Sequence, residues 1–245
     1  MHKSRSITCK GCWCQMHVLM PIRGPLSIPF RLVGIRPSRM NPNICNMCEN
    51  KFSRVRGARQ IVVPVSILFA DIRGDTTVSE LSDFPQIAHL LSDFYENCAS
   101  VIWERDGIIN KLIGDAILAI FNFPITLSDH TKQAVLAGLD LQKRCLERRL
   151  LIEGAEQQQI SMGVGVGIHT GNVSIGEIGE FCKDFTAIGE VVNVASRLQG
   201  AAKPEEVLVT EDVYRQVEDL FPRAESRAYQ LKGIQRPVNA YALRV

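Results

Sequence analysis

A chain of 245 residues, 46% hydrophobic and 22% charged, has room for one large domain or for one ordinary domain with an appendage. No stretch approaches the roughly 18 uninterrupted apolar residues of a membrane span, and the opening MHKSRSITCKGCWC lacks the apolar core of a signal peptide. A cytoplasmic chain with reduced cysteines is therefore expected.

Net charge is only +2, but it is unevenly spread. Residues 1–60 hold 11 Lys or Arg against one acid, Glu49, a balance of +10. The remaining 185 residues hold 17 basic and 25 acidic side chains, a balance of −8. Five of the eight cysteines also fall early: Cys9, Cys12, Cys14, Cys45 and Cys48. This asymmetry predicts a Cys-rich basic segment over 1–50, a polar linker over 51–60, and a larger acidic region over 61–245.

Within the larger region, IVVPVSILFADI (61–72) reads as a strand buried on both faces, because its apolar run lacks helical spacing. The stretch 76–107 then places apolar residues three and four apart (Leu90, Leu91, Phe94, Val101, Ile102), predicting one long helix, or two broken near Pro85, ending at Gly107. IINKLIGDAILAIFN (108–122) reads as a β-hairpin turning at Gly114-Asp115. A second amphipathic helix follows over 127–152, with Asp129 near its start.

Residues 160–179, rich in glycine with alternating Val and Ile, read as a strand followed by a hairpin. FTAIGEVVNVASRLQGAAKP (185–204) begins as a strand and becomes a helix near Glu190. A short strand EVLVT, a helix EDVYRQV and a final hairpin over 228–245 complete the chain. Interspersed helices and hairpins predict an α+β fold, a sheet with helices against it.

Two aspartates stand out. Asp71 ends the first buried strand, and Asp115 follows a glycine between two apolar runs. A single strand-end aspartate is ordinarily a turn or cap residue. Two of them, each at a break in a buried strand, could instead be brought together to hold a metal ion.

The segments FADIRG, NKLIGDAILAIF, GVGIHTGNVSIGEIG, TAIGEVVNVASRLQ and LKGIQRPVNAYAL occur in this order. As a set they resemble the catalytic domain of class III nucleotide cyclases, over residues 61–245. The resemblance implies a ferredoxin-like, palm-type sheet in which Asp71, Asp115 and the carbonyl of Ile72 hold two Mg²⁺ or Mn²⁺ ions per site. Hard oxygen ligands suit those ions. It further implies Asn193 and Arg197 as catalytic residues, orienting the ribose and meeting charge on the α-phosphate. Lys232 would bind the terminal phosphates.

For base selection the resemblance points to Lys111 and Thr186. A lysine donates to the N1 acceptor of adenine and opposes the N1 proton of guanine. Thr186, where the family often carries Asp, can accept from the adenine amino group or donate to a guanine oxygen, so Lys111 carries most of the preference for ATP. Asp75 departs from the aromatic or small residue usual there. It reads as a helix cap or as a charge opposing substrate phosphate. In this family the metal pair and the base and transition-state residues lie on opposite sides of a dimer interface. A head-to-tail homodimer making cyclic AMP from ATP is expected. A guanylate cyclase and a catalytically silent cyclase-like module are the alternatives. A cyclic-di-nucleotide synthase or polymerase would call for a paired-acid hairpin, and LIGDAIL has one acid.

The amino-terminal cysteines form one usable pair, Cys45 and Cys48, and a second from Cys9 with Cys12, or from Cys14 with Cys12 or His17. About 30 residues separate the pairs, against the ~15–20 of a compact zinc ribbon. Structural zinc, a redox-responsive thiol pair and ordinary reduced cysteines all fit this pattern. Aromatics are few and no helix-turn-helix is visible, so nothing firm points to nucleic acid or membrane. Position beside a catalytic region suggests a regulatory or dimer-stabilising role, with a regulatory partner.

Overall fold

The computed structural model describes residues 5–53, 60–73, 84–153, 163–178 and 184–244. Three short helices open the chain: α1 (Lys10–Met16), α2 (Ile28–Leu32) and α3 (Asn46–Ser53). They are followed by β1 (Gln60–Arg73), α4 (Phe84–Glu104), the hairpin β2 (Ile108–Ile113) and β3 (Ala116–Phe121), and α5 (His130–Glu153). The remainder comprises β4 (Gly163–Ile178), β5 (Asp184–Ile188), α6 (Glu190–Ala201), β6 (Val207–Thr210), α7 (Glu211–Tyr214), β7 (Glu225–Tyr229) and β8 (Val238–Leu243). Asp75 and the start of the helix expected after it lie outside the described residues.

The strands form one eight-stranded sheet in the order β2-β3-β1-β4-β6-β8-β7, with β5 paired to the far half of β4. Only β4 and β6 run parallel; every other ladder among the described residues is antiparallel. The result is the α+β class expected. The hairpin turns at Gly114, whose φ of +62° suits a glycine.

The apolar run of β1 is buried on both sides from Val65 to Ala70, whereas Val62 at its start is 71% exposed. Leu68, Ala70 and Ile72 face one layer, where Phe94, Cys98, Val101 and Ile102 of α4 and Ala134, Val135 and Leu141 of α5 pack. Val65, Ile67 and Phe69 face the other layer, with Leu118, Ile120, Val173 and Ile175 beside them. Each fully buried branched side chain contributes about 1.5–3 kcal/mol relative to exposure.

That second layer includes the amino-terminal segment. Ile22, Ile35, Ile44 and four cysteines share one buried cluster with Val65, Ile67 and Ile120. Polar anchors hold it at the approach to β2: Lys10 Nζ lies 2.6 Å from Asp106 Oδ1, and Asn41 Nδ2 donates to the Gly107 carbonyl at 2.7 Å. The Met40 carbonyl accepts from both the Trp103 indole, at 2.7 Å, and the Ile109 amide, at 3.0 Å. The segment is thus packed into the sheet's core rather than set apart from it.

The glycines of β4 have a geometric cause. Gly163, Gly165 and Gly167 alternate with Val164, Val166 and Ile168, which enter the first layer. The glycine face lets α6 lie directly on the strand. A Cβ at Gly167 would sit 2.2 Å from the Gln199 amide nitrogen and 2.4 Å from the Ala195 carbonyl oxygen. Gly167→Ala should therefore cost about 1–3 kcal/mol or more, read as a lowered thermal midpoint. Gly200, exposed at the end of the same helix with nothing within 4 Å of its would-be Cβ, supplies the contrast. Gly200→Ala should be neutral or raise stability by up to ~1 kcal/mol.

Candidate active site

The ladder between β1 and β3 pairs Asp71 with Ala116, and the Ile72 amide donates to the Asp115 carbonyl at 3.4 Å. Asp71 and Asp115 are therefore neighbours across two adjacent strands. The Tyr95 hydroxyl bonds the Gly114 carbonyl and ties the hairpin tip to α4. Asp71 Oδ2 accepts from Gln199 Nε2 at 3.0 Å, whereas Oδ1 is buried without a hydrogen-bond partner.

Burial, and then the Asp115 carboxylate beside it, push the Asp71 carboxyl above its usual range; Arg73 and the Gln199 bond partly offset this. Two facing carboxylates with one orphaned buried oxygen are a donor set that a hard divalent cation would satisfy. Here the residues present fit Mg²⁺ or Mn²⁺.

Asn193 and Arg197 lie one helical turn apart on α6. Both are exposed, while Val194, Ala195, Leu198 and Gln199 are buried against the sheet. The exposed face opens on a cavity of about 890 Å³ lined by Asn193, Arg197, Lys232 and Arg236, together with Gly189 and Glu190 at the start of the helix. No side chain caps that start, and three cationic side chains against the one acid, Glu190, leave the cavity net positive. Such a cavity can take up phosphate oxygens. Arg236 was not singled out from the sequence, although it follows Lys232 by four residues in LKGIQR.

Lys111 and Thr186 are approached by a third contact. A register shift in β2 between Ile109 and Lys111 turns Asn110 toward β5, where its Nδ2 donates to the Phe185 carbonyl at 3.1 Å. Lys111 Nζ forms an ion pair with Asp184, on the same short strand as Thr186. Asp184 is 60% exposed at its side chain, so the pair is worth little and can be exchanged for another partner. The structure thus gathers Asp71 with Asp115, and Asn193 with Arg197 and Lys232, and ties Lys111 of β2 to Asp184 on the strand bearing Thr186. Neither Asp71 nor Asp115 lines the cavity of Asn193, Arg197 and Lys232.

In the amino-terminal segment, Cys9, Cys12, Cys45 and Cys48 place their sulfurs within 4.8 Å of one another. All four are buried. Cys14 is not part of the cluster, and His17 instead caps α1, its ring 5.7 Å from that of Trp13. Burial pushes the Cys12 thiol up to about 12, and Cys48 is raised, first by its hydrogen bond with Cys45. Those sulfur contacts hold Cys45 low.

Residues 58–245 match the family model described as the adenylate and guanylate cyclase catalytic domain. The chain belongs to this family. The cyclase domain is 35% identical over 186 residues to an adenylate cyclase of Anabaena cylindrica, covering 74% of this chain and 36% of the relative. Adenylate cyclase 1 of Rhizobium meliloti is 29% identical over 195 residues, covering 71% and 28%. The chain spans about a third of the length of these curated relatives.

Among solved structures, the adenylyl cyclase CyaB from P. aeruginosa superposes with a TM-score of 0.68 at 27% identity, covering 76% of this chain and 95% of that one. The guanylyl cyclase Cya2 gives 0.66 at 27% identity, covering 76% and 93%. The expected family is therefore the observed one.

The facing carboxylates of this cyclase domain generate a stability prediction. Asp115→Asn removes one charge from the pair, so in chelator the variant should melt ~1–3 °C above the parent. The sign follows from the raised Asp71 carboxyl, which disfavours the folded state wherever that group is ionised. Added Mn²⁺ should raise the parent's midpoint and leave the variant's nearly unmoved. Scanning fluorimetry with and without Mn²⁺ reads both effects.

Proposed function

We propose that this chain is an adenylate cyclase, converting ATP to 3′,5′-cyclic AMP and pyrophosphate in a head-to-tail homodimer. The observation that carries the reading is the division of one residue set into two places. Asn193, Arg197 and Lys232 share the electropositive cavity, and the Asp71–Asp115 pair sits outside it. Two copies arranged head to tail would oppose the carboxylates of one to the cavity of the other, giving two equivalent sites and an inactive monomer. The similarity to adenylate cyclases at 35% and 29% identity supports the same reaction class.

Divalent ions held by Asp71, Asp115 and the Ile72 carbonyl would supply neutralisation of the triphosphate and a lowered pKa at the ribose 3′-hydroxyl. Lys232, with Arg236 beside it, would hold the terminal phosphates. Arg197 would donate to the α-phosphate oxygens as the 3′-oxygen bonds to phosphorus and pyrophosphate departs. Asn193 would fix the ribose so that this approach is in line. Lys111, released from Asp184, would donate to adenine N1, with Thr186 accepting from the amino group.

Incubating purified protein with ATP or GTP and Mn²⁺ should give cyclic AMP as the main product. Recovery of cyclic GMP alone would move the reading to a guanylate cyclase, and no cyclic product from either nucleotide would leave a regulatory module. Subunit sharing has its own test. Asp71→Ala and Arg197→Ala proteins, each inactive, should regain activity on mixing, because one of the two heterodimer sites is intact. No recovery despite demonstrated subunit exchange would remove the head-to-tail arrangement.

Base choice is tested by Lys111→Glu combined with Thr186→Ser. A mismatched buried hydrogen bond costs about 1–3 kcal/mol, roughly 5- to 150-fold in relative kcat/KM between ATP and GTP. An unchanged ratio would mean that Lys111 does not touch the base.

A further inference from the structure

We infer that Cys9, Cys12, Cys45 and Cys48 bind one zinc ion per chain, and that this site holds the amino-terminal segment against the strand that carries Lys111. The first half rests on sulfur geometry. Cys12 Sγ lies 3.4 Å from Cys48 Sγ and 3.6 Å from Cys45 Sγ, and Cys9 Sγ lies 3.6 Å from Cys48 Sγ. A tetrahedron with Zn–S of about 2.3 Å has edges of about 3.8 Å; these three edges are slightly shorter, and no pair of the four sulfurs is more than 4.8 Å apart. The same separations are far beyond the ~2.05 Å of a disulfide.

The backbone is arranged for thiolates as well. Cys45 N donates to Cys9 Sγ at 3.1 Å, Cys12 N to Cys9 Sγ at 3.3 Å, and Cys48 N to Cys45 Sγ at 3.4 Å. Amide donors pointing at sulfur offset part of the negative charge of a tetrathiolate. Four thiols buried together without a cation could exchange only weak S–H contacts. A soft divalent ion with no geometric preference of its own supplies the missing partner.

The second half rests on what the tied segment touches. Cys45 and Cys48 stand just past Met40 and Asn41, which bond Gly107 and Ile109, just before the β2 register shift, and Trp103 of α4. Lys111 is the first paired residue after that shift. Zinc therefore closes a loop whose far side sets where β2 begins and how Lys111 meets β5. Loss of the metal would release Met40 and Asn41, uncover Val65, Ile67 and Ile120, and leave Lys111 free to wander. A base contact made equally in ground and transition states appears in KM and not in kcat.

The zinc assignment is independent of the cyclase reading; the coupling to Lys111 depends on it. Elemental analysis of the purified full chain should give one zinc per chain, and Cys12→Ser with Cys48→Ser should reduce it to near zero. Zinc absent from the parent, or retained by the double variant, overturns the site, whatever the enzyme does. Asn41→Ala tests the coupling with the cysteines intact. It should keep its zinc yet raise the KM for ATP roughly tenfold, the cost of one misaligned hydrogen bond, with kcat little changed. Zinc retained with an unchanged KM overturns the coupling. If the parent makes no cyclic nucleotide, the activity reading fails and the zinc result still stands.

Discussion

The rest of the structure depends on the ladder between β1 and β4, which runs from Gln60↔Gly176 to Arg73↔Gly163 without a break. Its length carries Asp71 to one end of the sheet and buries both faces of β1 from Val65 to Ala70. Its glycine face determines how near a helix can come. Gly167 brings the backbone of α6 against the strand, and Gln199 then reaches Asp71. The two carboxylates, the helix and the sheet are thus fixed by one set of backbone hydrogen bonds and the absence of side chains at Gly165 and Gly167.

The same constraint separates the two halves of the site. Gln199 and Arg197 are two residues apart, about 200° around the helix axis. Gln199 is turned down to Asp71 and the sheet; Arg197 is turned up into the cavity with Asn193 and Lys232. A helix bedded this closely cannot rotate to bring Arg197 to its own chain's carboxylates. The proposed need for a second chain would in this sense follow from glycine at 165 and 167.

Much of this is legible in the sequence. The hairpin turn at Gly114-Asp115, the two-sided burial of β1 beyond Val65 and the helix beginning near Glu190 follow from local periodicity and turn chemistry. The residues of the candidate site follow from ordered motifs. What the sequence does not disclose is long-range: Asp184 as the partner of Lys111, Gln199 as the partner of Asp71, and Arg236 in the cavity all depend on which strand ends meet. The basic, cysteine-rich start reads as an appendage because its charge differs from the rest. Three of its apolar residues, Ile22, Ile35 and Ile44, nevertheless enter the shared core, while others such as Leu26 and Leu32 stay exposed. Selecting Cys9 and Cys12 over Cys14 likewise required the fold, since spacing admits either pairing.

The central claim is that one chain holds two half-sites which act only when two chains meet. Its most direct measurement is specific activity with ATP and Mn²⁺ across a dilution series, set beside the fraction of dimer from sedimentation under the same conditions. The account predicts that specific activity falls with dilution in proportion to the dimer fraction and approaches zero where the chain is monomeric. Constant specific activity in a range where sedimentation shows only monomer would contradict it.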